Sequence, residues 1–372
     1  MLAIGLMSGT SLDGVDACLI EIKNNKFTIK DFICVPYDLD LKKRLLLIAS
    51  NKPTTIQQIC SINVELGKIY ASSCIKLLKH SKIDKKEIGY VAMHGQTVWH
   101  NPNNKDHLES STLQLGDPSY IANALNCKVV SGFRYMDMAV GGEGAPLVPF
   151  VNWKLYTNKK ENIALQNIGG ISNVTYLKKN GTIDDILAFD NGVGNMLIDN
   201  AMRRLFNKEY DNHGFTAKKG KIIQEVLDEL LSDKYLFLTP PKSTGREKYN
   251  DEYLSEIILK IKSFGGSDED VITTLTAYTA DSIALSYQLF LKDIDKVILS
   301  GGGAYNDYLV ERLKEKIPSK LEISNNTDSL EAFSFAVMGY YTLKGKPTNV
   351  PSVTGASKQV ILGQITDPII RW

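Results

Sequence analysis

Apolar and polar residues alternate along 2–8, 15–22 and 26–36, whereas Ile59, Ile62, Leu66 and Ile69 recur every three or four positions inside 54–80. The first period is that of strands and the second that of a helix laid against a core. Tyr90-Val-Ala-Met93 is a short apolar run and reads as a buried strand ending at His94-Gly95-Gln96-Thr97. A helix near 118–126 and a strand over Cys127–Ser131 complete a β-β-β-α-β-α-β series in the first 133 residues.

Ile163–Leu177 repeats the opening half a chain later: an apolar run, a turn of Gly169, Gly170, Ser172 and Asn173, then a β-rich run. The corresponding first turn, Ser8–Gly14, offers glycines, hydroxyls and one carboxylate, so backbone N–H groups can approach an anion without a Cβ between them. A strand over Ile183–Phe189 follows, then helical patterns at 195–206, 216–232, 250–264 and 267–291, the last two amphipathic. A strand at Asp295–Ser300 and a helix at 306–316 come next. The recurrence predicts two related α/β halves with no low-complexity linker.

Composition narrows the function classes. The 372 residues are 43% hydrophobic, enough for two cores, and 43 basic against 42 acidic side chains leave a net charge of +1. No basic stripe stands out, so no nucleic-acid partner is expected. Five cysteines at 18, 34, 60, 74 and 127 lack C-x-x-C spacing and read as reduced core residues, which favours the cytoplasm. The N-terminus enters a strand at once, without a secretory leader, and no apolar run approaches membrane length, so no membrane partner is expected. His94, His100 and His107 do not have zinc-ligand spacing, and no metal-ligating residues are assigned.

Four constellations carry chemistry. In Ala188-Phe-Asp-Asn-Gly-Val-Gly-Asn195 a carboxylate follows an apolar strand and precedes glycines that open a helix. Asp190 is either a proton acceptor beside a phosphate-binding helix start or the cap of that helix. Val297–Asn306 runs a strand through Gly301-Gly302-Gly303 into a helix, which suits close approach of a flat ring or a phosphate, or a tight crossover. Neither a Walker loop nor a dinucleotide fingerprint is present. His94 to Thr97, with Gln114 and Asp117, form a neutral set suited to sugar hydroxyls, although His94 is equally a satisfied core histidine. Phe133-Arg134 with the loop Gly141–Pro146 places a fixed positive charge beside a glycine-dense segment. Arg134 is either a carboxylate clamp or half of a structural ion pair.

Taken in order, these motifs resemble the anhydro-N-acetylmuramic acid kinase family: GLMSGTSLDGVD at 5–16, HGQTVWH at 94–100, LQLGDP at 113–118, GGEGAPLVP at 141–149, QNIGGISNVT at 166–175, FDNGVGN at 189–195, PKSTGRE at 241–247, SGGGAYN at 300–306 and VTGA at 353–356. The resemblance runs nearly end to end. It implies two actin-like (ribonuclease-H-like) α/β domains with mixed sheets flanked by helices and an ATP cleft between them, one of residues 1–133 plus 360–372 and the other of 134–359. It also implies a cytoplasmic homodimer that opens a 1,6-anhydro sugar with water while ATP and Mg²⁺ deliver phosphate to O6.

By the same resemblance Asp190 is the catalytic base. Gly9, Thr10, Ser11 and Gly14 contact phosphate, and Asp13 holds Mg²⁺ through water or binds the sugar. Gly169, Gly170, Gly192, Gly194 and Asn195 belong to the nucleotide side, with Gly301, Gly302 and Gly303 toward adenine. Gln96, Arg134, Glu331 and His94 face the sugar, Arg134 taking its lactyl carboxylate. Gly132, Glu143, Asn191 and Val193 depart from the family pattern, where Asp, Gln, Thr or Cys, and Pro are usual. The alternatives are a kinase of another anhydro sugar or hexose, and a non-catalytic ATP-driven binding module on the same fold.

Overall fold

The computed structural model describes residues 1–9, 12–102, 108–245, 247–324 and 329–368. The chain opens with β1 (Leu2–Ser8), β2 (Gly14–Lys23) and β3 (Lys26–Pro36), then α1 (Leu39–Ala49) and α2 (Ile56–Ser81). Next come β4 (Ile88–Asn101), β5 (Ser111–Leu115), α3 (Pro118–Leu125), β6 (Lys128–Ser131), α4 (Tyr135–Ala139) and α5 (Val148–Tyr156). The second series is β7 (Ile163–Ile168), β8 (Ile171–Leu177), β9 (Leu187–Val193), α6 (Met196–Phe206), α7 (Gln224–Leu231), α8 (Asp251–Ser263), α9 (Asp268–Phe290), β10 (Lys296–Ser300), α10 (Asp307–Lys316) and β11 (Lys320–Ile323). The chain closes with α11 (Leu330–Leu343), α12 (Pro351–Thr354) and β12 (Gln364–Thr366).

The two sheets share one plan. In the first the order is β12-β6-β4-β1-β2-β3, with β5 added on β4; in the second it is β11-β10-β7-β8-β9. β1 pairs antiparallel with β2, and β2 with β3, while β1, β4 and β6 run parallel. β7 and β8, then β8 and β9, repeat the antiparallel pairs, and β7, β10 and β11 the parallel ones. Each unit is thus a mixed sheet flanked by helices, and the repeat of strand, turn and strand in the sequence marks the start of each.

Several elements differ from expectation. α1 carries only Leu41 and Leu45 as a buried stripe, too short a pattern to stand out. β5 and β11 are short strands defined by pairing with β4 and β10 rather than by their own alternation. The strand expected at 183–189 begins four residues later, after a 3₁₀ turn at Ile183–Asp185. The expected helix at 216–232 is a 3₁₀ turn at Ala217–Lys219 and then α7, because Gly220 is extended (φ −92°, ψ −177°) and ends the turn; a Cβ there would fall 2.4 Å from Thr273 Oγ1.

α9 is not amphipathic: it is buried on every side from Val271 to Ala284. Its hydroxyls tolerate this by donating to backbone, Thr273 to Glu269 O and Thr276 to Ile272 O. α2 packs one face, Ile62, Leu66, Tyr70, Cys74 and Leu77, into the first core, and a capping box of Thr55 and Gln58 starts it. Among the described residues no helix is long and apolar enough to cross a membrane.

Contacts group the chain into two compact units, Met1–Val151 with Asp328–Trp372, and Asn152–Thr327. Residues 134–151 and 328–359, expected in the second domain, therefore fall in the first. The cause is packing that composition does not display: α11 lies on β1 and β4, and β12 pairs with β6. The α11 contact is so close that a Cβ on Gly5 would stand 1.8 Å from Ala332 O and 2.9 Å from Ala336 N, both backbone atoms. Gly5→Ala is expected to lower stability by roughly 2–3 kcal/mol, since neither β1 nor α11 can move alone. Denaturant unfolding of the two proteins checks this.

Candidate functional site

In the second unit β8 and β9 slip out of register. Asn173 stands opposite Asp190 but Ser172 opposite Gly192, so Asn191 is an extra, bulged residue. The bulge sends Asn191 inward, where it is fully buried. Its Oδ1 accepts from Gln166 Nε2 (2.9 Å) and Ser172 Oγ (3.2 Å), and its Nδ2 donates to Ser286 Oγ (2.6 Å). Gly192 completes the bend at φ +149°, a conformation an L side chain rarely adopts.

Asp190 leaves this bulge half-buried. Its Oδ2 accepts from the Thr244 backbone N–H at 3.0 Å, its own N–H donates to Lys242 O at 3.0 Å, and Tyr235 OH donates to its carbonyl at 2.9 Å. Desolvation pushes the carboxyl up to about 6; the Thr244 N–H opposes this and the nearby charge of Glu247 adds to it. Asp190 is therefore not a helix cap: α6 begins at Met196, preceded by Asn195.

Lys242 and Thr244 belong to PKSTGRE, where sequence reading assigned no role. Lys242 Nζ turns inward and donates to Tyr235 O (3.1 Å) and Leu236 O (2.8 Å), 4.7 Å from the Phe290 ring. Burial pulls its amine down to about 8. A lysine directly after Pro240-Pro241 and close behind the aromatic residues at 235 and 237 was the available signal.

The glycine turns divide by task. Gly194, Asn195 and Met196 use their amides on the carbonyls of Gly170 (2.9 Å), Gly169 (2.7 Å) and Gly170 (3.2 Å), so this helix start is tied to the β7–β8 turn. A Cβ on Gly194 would meet Gly169 O at 2.2 Å. Gly301 holds φ +80°, ψ 171°, a glycine conformation, and a Cβ on Gly303 would strike Ile168 Cγ2 at 2.3 Å. At Gly169 and Gly302 a Cβ would meet nothing nearer than 3.7 and 3.6 Å. Packing does not demand glycine at either position, although the Gly169 peptide is already engaged, its N–H on Ile171 O at 3.2 Å and its C=O on Asn195 N.

In the first unit, Gly9 O accepts from Gln96 Nε2 at 3.0 Å and from Leu12 N at 3.3 Å. Leu12 is buried at φ +60°, an unusual conformation for a bulky residue that clamps the turn into the core. Gln96 is fully buried: Nε2 also lies 3.3 Å from Thr97 O, and Oε1 accepts from Tyr37 OH at 3.4 Å. It shapes the turn from beneath and has no surface for a sugar. Gly14 is required by packing, since a Cβ would lie 2.3 Å from Val35 O. Asp13 is exposed and pairs with Lys42 Nζ at 2.6 Å. Thr10 and Ser11 lie outside the described residues. Asp117 caps α3, accepting from Ser119 N.

Arg134 is held on two sides by neutral acceptors, His94 Nε2 at 3.1 Å from its Nε and Gly144 O at 2.6 Å from its Nη1. His94 is buried against Phe335, and its Nδ1 donates to Gly95 O at 2.8 Å. Burial, then the Arg134 charge, keeps its pKa well below the usual range, as a neutral acceptor requires. With both ring nitrogens in use, His94 orients Arg134 and cannot itself hydrogen-bond a sugar. Burial pulls Arg134 down to about 10 against the opposing attraction of Glu331.

Glu331 sits in the first turn of α11, where a negative charge is favourable. Water reaches it, yet enough protein surrounds it for desolvation to push its carboxyl up, with Asp16 adding and Arg134 opposing. Asp137, one turn after Arg134, escaped sequence reading although an acid flanked by two methionines marks it; it is wholly buried.

Among the described residues no group of three or more His, Cys, Asp or Glu side chains is placed to hold a metal. Asp13, the carboxylate of the first turn, is paired with Lys42 Nζ and is not part of a preformed cation cage.

A profile of the anhydro-N-acetylmuramic acid kinase family matches residues 1–368. The chain is 44% identical to a Francisella tularensis subsp. novicida protein of that name over 97% of each chain. It is 42% identical to the Clostridioides difficile one over 98% of each. Among solved structures, component A of the Acidaminococcus fermentans (R)-2-hydroxyglutaryl-CoA dehydratase aligns at TM-score 0.48 and 13% identity over 91% of this chain and 96% of that one, too slight a likeness to add to the strand order.

Asp190 supplies a test of the electrostatics. Its folded pKa, about 6, lies above the unfolded value, so the stability it contributes is present below about pH 4 and lost as pH rises through 6. Asp190→Asn is expected to melt a few degrees above the native protein at pH 8 and no higher at pH 4.

Proposed function

We infer that this chain, which belongs to the anhydro-N-acetylmuramic acid kinase family, is an ATP-dependent sugar kinase of peptidoglycan recycling. It opens the ring of 1,6-anhydro-N-acetylmuramic acid with water and leaves N-acetylmuramic acid 6-phosphate and ADP. The observation that carries the assignment of a base is Asp190: a half-buried carboxylate on a strand bulge, raised to about 6 and steadied by the Thr244 N–H. Such a group is ionised at neutral pH yet basic enough to take a proton from water.

The attacking water gives its proton to Asp190 Oδ1 or Oδ2 while its oxygen bonds C1. The C1–O6 bond breaks with its electrons on O6, which takes the phosphoryl group, and Asp190 later returns its proton to solvent. ATP is the phosphoryl donor, and a Mg²⁺ bound with it would supply positive charge to offset the charge that develops on the transferred group. Gly9, Gly169, Gly170 and Gly302 are proposed to present backbone to the phosphates, with Thr10 and Ser11 adding hydroxyls and Asp13 reaching Mg²⁺ through water. Gly14, Gly192, Gly194, Asn195, Gly301 and Gly303 shape these turns. Arg134 takes the lactyl carboxylate and Glu331 a sugar hydroxyl, while His94 and Gln96 hold the walls.

Cytoplasmic residence belongs to the same proposal and is supported by five unbridged cysteines, three of them buried. So does assembly as a homodimer, which light scattering reads. The near-zero net charge supports a small-molecule enzyme over a nucleic-acid binder.

Asp190→Asn should lower kcat by about 10³-fold or more while ATP binding is kept. In ¹⁸O-water the native enzyme should yield a 6-phosphate with one ¹⁸O at C1; a product without label would exclude water attack at C1. The pH profile of kcat/KM should fall on the acid side with a midpoint near 6, as Asp190 takes up its proton.

A further inference from the structure

Asp137 and Arg134 are opposite charges three residues apart, yet they do not pair. Asp137 Oδ1 accepts from Asn349 Nδ2 and from Thr354 Oγ1, both at 2.8 Å, and its Oδ2 accepts from Gly144 N at 2.8 Å. The carbonyl of that same Gly144 accepts from Arg134 Nη1 at 2.6 Å. One glycine therefore stands between the two charges, its N–H on the acid and its C=O on the base.

The loop is built around this contact. A Cβ on Gly142 would lie 2.2 Å from Asp137 Oδ2, so only glycine lets the backbone settle on the carboxylate. Gly144 holds φ +68°, and a Cβ there would come within 3.2 Å of Arg134 Cβ. Glu143 N donates to Thr354 O at 2.8 Å, which ties the loop to α12 a second time. Asp137 is wholly buried, so its oxygens are available to nothing else.

We propose that Asp137 is the positioning residue through which the protein selects a carboxylate-bearing sugar: by fixing Gly144 it seats the Arg134 guanidinium between two neutral acceptors and leaves its charge for the substrate. This rests on the reading of Arg134 as the clamp for the lactyl carboxylate. Had Asp137 paired with Arg134 directly, that charge would be neutralised within the protein and the preference for an acid weakened. The motifs at 141–149 and 353–356 then act together, one as the loop and the other as its anchor.

Calorimetric titration of the whole protein with 1,6-anhydro-N-acetylmuramic acid and with its neutral lactyl carboxamide tests the proposal, through the ratio of the two dissociation constants. The native protein should favour the acid by on the order of tenfold or more. Asp137→Asn should shrink that preference by roughly three- to tenfold, with amide binding nearly unchanged. Thr354→Val should act in the same direction and Thr354→Ser should keep the native ratio, which a merely structural role would not separate.

If Asp137→Asn does not fold, the Thr354 pair and Asn349→Ala carry the test. A native ratio in folded Asp137→Asn, or in Thr354→Val and Asn349→Ala together, overturns the proposal. Arg134→Gln is the control for the premise: if it keeps the preference, the carboxylate clamp itself is wrong and the proposal falls with it. If it abolishes the preference while the Asp137 and Thr354 variants keep theirs, the clamp stands and only the positioning role is lost.

Discussion

One unpaired residue in β9 governs the second unit. Because Asn191 has no residue opposite it in the β8 ladder, its side chain turns into the core and must find hydrogen bonds there, which Gln166, Ser172 and Ser286 supply. The same slip re-aims Asp190 and forces the φ of Gly192. A strand in regular register would have paired Asp190 and Asn191 on opposite faces and left no such bend. The buried Asn191 is thus accommodated by a complete polar network, and the carboxylate beside it keeps its hydrogen bond from the Thr244 N–H.

The first unit solves a different electrostatic problem, that of holding a half-buried cation without neutralising it. Arg134 is met by a neutral imidazole and a carbonyl, while the buried acid nearest in sequence is occupied by neutral donors. Desolvation lowers the Arg134 pKa, against the opposing attraction of Glu331. His94 and Gln96, expected from the sequence to face the sugar, have their polar atoms engaged inside the protein and support the groups around them.

The glycines show why composition alone misassigns a ligand loop. Of Gly301, Gly302 and Gly303, the first is set by backbone conformation, the third by contact with Ile168, and only the middle one is left open. The same holds for Gly194 and Gly14, which close packing demands. A run of glycines announces that backbones come close. Whether the neighbour is a ligand or another strand is a matter of what the fold brings there.

The sequence by itself determined the class of fold, the duplication and the family, because strand alternation, turn glycines and ordered motifs are local properties that survive without coordinates. It also marked Asp190 and Arg134, charged residues set beside glycine-rich segments. Tertiary structure alone decided where β9 begins, that residues 134–151 and 328–359 join the first unit, and that Asp137, Lys242 and Thr244 act beside the marked residues. These depend on strand register and on contacts as distant as Asp137 to Thr354. A local pattern carries no information about such pairs until the chain has closed around them.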